Sequence, residues 1–152
     1  MKTLWKNENW FTSPWNFIDE VTQEQCFAKE IKIHDISMRD GEQQAGIVLN
    51  MDDKLSLAEK LSEVGIHRIE AGMPSVSKDD ELAIKEIVKR NLGPEIFAFS
   101  RCLVEDVKLA ADCGVSGIVV EIPASDHIVE NAYHWNYSKA VDLAIEPIWI
   151  YF

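Results

Sequence analysis

From about residue 30 onward the chain switches repeatedly between a period of two and a period near 3.6. Residues 30–36 (EIKIHDI) alternate polar and apolar and predict a strand. After a loop carrying Gly41 and Gly46, Asn50 stands where a helix N-cap belongs. Asp52 and Asp53 follow it, with charges that suit a helix start. Leu57, Ala58, Leu61 and Val64 recur at helical spacing, and Gly65 predicts the stop. Residues 66–71 (IHRIEA) predict a second strand. Ser77-Lys78-Asp79-Asp80 has capping-box form, and Ala83, Ile84, Ile87 and Val88 share the face of the helix it opens. Residues 91–94 (NLGP) end that helix, and 95–100 (EIFAFS) predict a third strand. Leu103, Val107, Ala110 and Ala111 mark a third helix, ended by Gly114. Residues 115–122 (VSGIVVEI) predict a fourth strand. A loop over 123–129 precedes a fourth helix over 138–146 (SKAVDLAIE), which Pro147 should stop, and the chain closes on apolar residues 148–152.

Four strands alternating with four helices imply βαβ units and a parallel sheet, so the fold class is α/β. Two architectures fit: an open doubly wound sheet, or part of an eight-stranded barrel. The 152 residues alone lean toward the open sheet, because a complete barrel takes ~250. Residues 1–29 follow neither period. Trp5, Trp10, Phe11, Trp15, Phe17 and Phe27 sit there among polar residues and predict an aromatic-rich extension that covers either the 30–152 domain or a second subunit.

Composition narrows the function. Apolar residues make up 47% and charged residues 27%, enough for a packed core. The net charge of −11 disfavours nucleic acid and anionic membrane surfaces as partners. Cys26, Cys102 and Cys113 form no CxxC pair and are odd in number, which fits free thiols in a reducing cytoplasm. The N-terminus has no apolar leader segment, and no stretch reaches the ~20 apolar residues of a membrane span. A cytoplasmic protein is therefore expected.

In either architecture the chemistry gathers at the C-terminal ends of the strands. That rule selects Asp40, Glu42, Gln43, Glu70, Arg101 and Ser125. Carboxylates of this kind suit Mg²⁺ or Mn²⁺, and an added imidazole favours Zn²⁺. Arg39 and Arg101 suit a substrate carboxylate or a developing enolate oxygen. His34 and His67 lie inside strand patterns and read as packing or surface residues. His127 falls in a mouth loop, Cys102 reads as a small packed residue, and Glu121 as a member of a structural ion pair.

The ordered string Asp35-Ile36-Ser37-Met38-Arg39-Asp40-Gly41-Glu42-Gln43-x-x-Gly46 resembles the signature of the isopropylmalate synthase and homocitrate synthase family, which is related to hydroxymethylglutaryl-CoA lyase. Ile69-Glu70-Ala71-Gly72-Met73-Pro74, Ser77-x-x-Asp80, Ser100-Arg101 and Ala124-Ser125-Asp126 resemble its later segments, in order. The resemblance runs from about residue 30 to 146 and implies part of a (β/α)8 TIM barrel, about four parallel βα units.

It also implies roles. Asp40 would ligate a divalent metal (Mg, Mn or Zn), and Arg39 would stabilise the oxygen of an enolate or alkoxide. Glu70 would fix Arg39 or move a proton. Gln43, Arg101 and Ser125 would contact substrate. The implied reaction is a Claisen-type condensation of acetyl-CoA with an α-keto acid. Glu42 favours synthase over lyase, since lyases of the hydroxymethylglutaryl type usually carry Leu there.

This chain departs from the pattern at Ile36-Ser37-Met38 and at Ala45. None of its histidines forms the H-x-H that supplies the family's other metal ligands. It is therefore expected to correspond to the N-terminal half of the barrel, completed by self-association or by a missing half. The alternatives are a hydroxymethylglutaryl-CoA-lyase-like C–C lyase and a catalytically incomplete, self-associating half barrel.

Overall fold

A computed structural model describes residues 5–26 and 28–151. Phe27, Phe152 and the side chains of Ile150 and Tyr151 lie outside the described residues. The contacts divide the chain into two compact units, 1–31 and 32–152.

In the first unit Lys6 and Phe11 form an isolated antiparallel bridge, and the Thr12 amide donates to the Trp5 carbonyl at 2.8 Å. A 3-10 turn, Pro14–Phe17, follows Ser13, whose hydroxyl accepts from the Trp15 amide. Pro14 suits this first helical position because its missing N–H would be unpaired there in any case. The helix α1, Asp19–Thr22, comes next. Both elements are one turn long, too short to leave a period in the sequence.

The second unit holds four parallel strands: β1 (His34–Asp35), β2 (Arg68–Glu70), β3 (Glu95–Arg101) and β4 (Gly117–Glu121). Between them run α2 (Met51–Glu63), α3 (Lys78–Arg90) and α4 (Val104–Ala111), and after them α5 (Asp126–Asn131) and α6 (Tyr137–Tyr151). The sheet order is β1-β2-β3-β4. Every crossover therefore steps the same way, and crossovers of one hand put their helices on one face. A doubly wound sheet needs a reversal of order, and there is none among the described residues. The fold is the singly wound βα arrangement of a partial TIM barrel.

The two faces divide by strand parity. Ile69, Ile96 and Ala98 point to the helices and pack with Leu55, Ala58, Ile84, Ile87 and Ala110 in the buried core. The neighbouring positions, in register across the sheet, are His34, Glu70, Phe97, Gly117, Phe99 and Val119, on the opposite face.

Local chemistry sets the ends of the helices. Asn50 and Asp53 form a reciprocal capping box, and Gly65, at φ +83°, follows α2. Ser77 accepts from the Asp80 amide, and Asn91, in the left-handed region, closes α3. Only half of the predicted Ser77–Asp80 box exists, because the Asp80 carboxylate points elsewhere.

Three expectations need correction. β1 is two residues long rather than 30–36: Ile31 and Ile33, which carry the alternation, are exposed instead of packed. The segment 123–129 is not all loop, since α5 begins at Asp126, anchored by buried Val129. Pro147 does not stop the last helix; α6 passes through it to Tyr151. A proline cannot donate to the carbonyl four residues back, here Leu143. That carbonyl instead accepts the Cys102 thiol at 3.2 Å, and Pro147 itself is buried. No helix among the described residues is long and apolar enough to cross a membrane.

Candidate functional site

The loop after β1 turns sharply. The amides of Arg39, Asp40 and Gly41 all donate to the Ile36 carbonyl, and Gly41–Gln43 forms a 3-10 turn. Met38 is buried in the core and anchors the turn from below. Arg39 thereby comes to lie over the β2–β3 surface. Its Nε donates to Glu70 Oε1, its Nη1 to Asp40 Oδ1 at 3.1 Å, and its guanidinium stacks on Phe99, 4.4 Å from the ring centroid.

Glu70 is 2% exposed and uses its other oxygen on His34 Nε2 at 3.3 Å. The His34 ring meets Phe97 edge-on at 5.1 Å. A buried carboxylate has to be paired, and Glu70 is paired on both oxygens. Arg39 has five N–H donors, and Nη2 has no partner among the described residues.

Arg39, Gln43, Glu42, Met38, Gly72, Met73, Val76 and Asp80 line a cavity of about 270 Å³. The structure therefore brings together Arg39, Glu70, Asp40 and Gln43. It separates the other two predicted contacts. Arg101 forms a two-pronged ion pair with Asp106, at 2.6 and 3.1 Å, beside a different cavity of about 320 Å³ walled by Tyr133 and Trp135. Ser125 precedes α5, where its carbonyl accepts the Val129 amide, and it lines neither cavity.

Asp40 exposes 55% of its side chain and offers one carboxylate. No group of three His, Cys, Asp or Glu residues able to hold a metal occurs among the described residues. They fit one ligand of a metal centre and not the whole centre.

Two participants escaped the sequence reading. Spacing reads His34 as a packing or surface residue, and the strand register puts it on the face that carries Glu70. Lys54 shares the buried stripe of α2 with Ala58 and Leu61, so a lysine at a core position was the available clue. It is 1% exposed and pairs with Glu42 at 2.7 Å and with Asp80. Burial raises the Glu42 carboxyl, but hydrogen bonds from Lys54 and the Leu49 amide together bring it below its ordinary value. Burial pushes the Cys102 thiol up, away from nucleophilic character. Cys26, Cys102 and Cys113 are all free, as expected.

Residues 30–149 match the HMGL-like family model. Homocitrate synthase AksA of Methanothermobacter thermautotrophicus is 34% identical over 91% of this chain and 34% of its own length. A probable 2-isopropylmalate synthase of Ignicoccus hospitalis is 38% identical over 79% of this chain and 30% of its own. The chain thus spans about a third of the curated relatives it matches. The crystal structure of Bacillus subtilis HMG-CoA lyase superposes with a TM-score of 0.65 at 20% identity, over 80% of this chain and 42% of that one. This last likeness is one of fold.

Proposed function

The chain belongs to the HMGL-like family, and from that premise we propose that it carries the β1–β4 side of a site for Claisen-type condensation of acetyl-CoA with an α-keto acid. The observation that carries this reading is the Arg39 guanidinium, held by Glu70, Asp40 and Phe99 at the wall of a cavity that Gln43 shares.

Such a fixed cation stabilises negative charge growing on the keto oxygen, and because it is already oriented it costs little reorganisation. Glu70 holds Arg39 and lies near enough to His34 to take part in proton transfer through it. Gln43 places the substrate. Asp40 is one ligand for a divalent metal (Mg, Mn or Zn), the others coming from outside the described residues. Arg101 and Ser125, in this reading, touch more distant parts of the substrates. The relatives named homocitrate and isopropylmalate synthase favour transfer over cleavage.

In this reading further strands complete the site, from a second copy or from a missing half of the barrel. Support comes from β1 and β4, which each have a strand on one side only among the described residues. Open edges of this kind invite pairing. A cytoplasmic setting belongs to the same proposal.

The test is release of CoA thiol from acetyl-CoA across a panel of α-keto acids, with added Mg²⁺, Mn²⁺ or Zn²⁺. Release that needs the keto acid, and that falls at least a hundredfold in Arg39→Lys or Asp40→Asn, is the expected result. Release unaffected by either substitution would overturn the assignment. Sedimentation should show association; a clean monomer removes self-completion.

A further inference from the structure

Lys54 reaches into the mouth from α2 and binds two carboxylates, one from the turn after β1 and one from α3. Glu42 belongs to the turn after β1, and its second oxygen accepts the Leu49 amide at 2.9 Å, closing that loop on itself. Asp80 belongs to α3, and its second oxygen accepts the Met73 amide at 3.3 Å, so it also holds the turn after β2. Gly72 makes room for this. It lies at φ +143°, and a Cβ there would meet Asp80 Oδ2 and Lys54 Nζ, each at 3.3 Å. Glu42 and Asp80 form part of the same cavity wall as Arg39 and Gln43. Without the ammonium, the two carboxylates that now share it would be left close together with no cation between them, and like charges repel.

We propose that Lys54 is a positioning residue. It ties the 39–49 loop to the turn after β2 and so sets Arg39 and Gln43 at the cavity. Arg39–Glu70 holds one side of that loop, and Glu42–Lys54–Asp80 holds the other. The tie is a property of the chain; its catalytic consequence rests on the proposed condensation.

Amide hydrogen exchange on the full chain tests it. Lys54→Met should speed exchange across residues 39–49 at least tenfold while β3 stays unchanged, and Lys54→Arg should restore most of the protection. Glu42→Gln, at a half-buried position where folding is easily tolerated, should reproduce the loop-limited effect. Exchange rising equally in the loop and in β3, no change in the loop, or failure of Lys54→Arg to restore protection each overturns the role. Loop exchange needs no turnover, so failure of the condensation reading would leave this inference standing. Where turnover is measured, Lys54→Met should lower kcat and Lys54→Arg should recover it.

Discussion

Gly117 faces Phe97 across the β3–β4 ladder. A Cβ at Gly117 would lie 2.7 Å from Phe97 Cζ and 2.8 Å from Cδ1, with Cε1 closer still. Those distances are inside van der Waals contact, so the ring would have to swing. It is hemmed by His34 at 5.1 Å and by the Arg68 guanidinium, 5.4 Å from its centroid. Overpacking of this kind costs about 1–3 kcal/mol. Against it, alanine gains about 0.5–1 kcal/mol over glycine inside a strand. Gly117→Ala should therefore destabilise by roughly 1 kcal/mol net, the clash outweighing the propensity. In a Phe97→Ala background the clash is gone and only the favourable part remains. The same substitution should then stabilise by up to about 0.5–1 kcal/mol. Urea unfolding of the wild type, both single variants and the double variant gives the coupling directly. Equal destabilisation by Gly117→Ala in both backgrounds would refute the reasoning. The matter reaches the site, because Phe97 supports His34, and His34 supports Glu70.

Three further outcomes follow from the geometry. Glu70→Ala strands Arg39, whose side chain is 17% exposed; breaking such a pair should cost about 3 kcal/mol, the low end for a buried pair because Asp40 and Phe99 still hold the guanidinium. A loss under about 1 kcal/mol in urea unfolding would contradict the pairing. Cys102→Val removes the donor to the Leu143 carbonyl and should cost about 1 kcal/mol. Cys102→Ser should keep the bond, and Pro147→Ala should make Cys102→Val nearly neutral by returning an amide to that carbonyl; an unchanged cost in that background counts against the explanation. Glu81 is held below its ordinary value of 4.5 by hydrogen bonds from Lys78 and Lys85. A carboxyl depressed on folding stabilises above its unfolded value, and that contribution is lost as pH falls below 4.5 through the folded value. The urea midpoint should therefore fall less between pH 6 and pH 3 in Glu81→Gln than in the wild type, and an identical fall would remove Glu81 from the acid response.

Much of this molecule is readable from neighbours in the chain. Asn50 with Asp53, Ser77 with the Asp80 amide, and the stops at Gly65, Asn91 and Gly114 all depend on hydrogen bonds or backbone angles within about four residues, so spacing alone exposes them. The same holds for the residue types of the candidate site, because Arg39, Asp40 and Gln43 lie on one short turn that the β1-end rule selects. What escaped depends on partners far along the chain. Strand order distinguishes a singly wound sheet from a doubly wound one, and order is a relation among four segments that no period encodes. β1 shrank to two residues, and Ile31 and Ile33 before it stay exposed. α6 continues through Pro147 because Cys102, between β3 and α4, takes the carbonyl that proline leaves unpaired. His34 reads in the sequence as a packing or surface residue, and Lys54 carries no site reading there, until folding sets them beside Glu70, Glu42 and Asp80. A buried ionic group takes its meaning from the group that neutralises it, and that group becomes its neighbour only once the chain has folded.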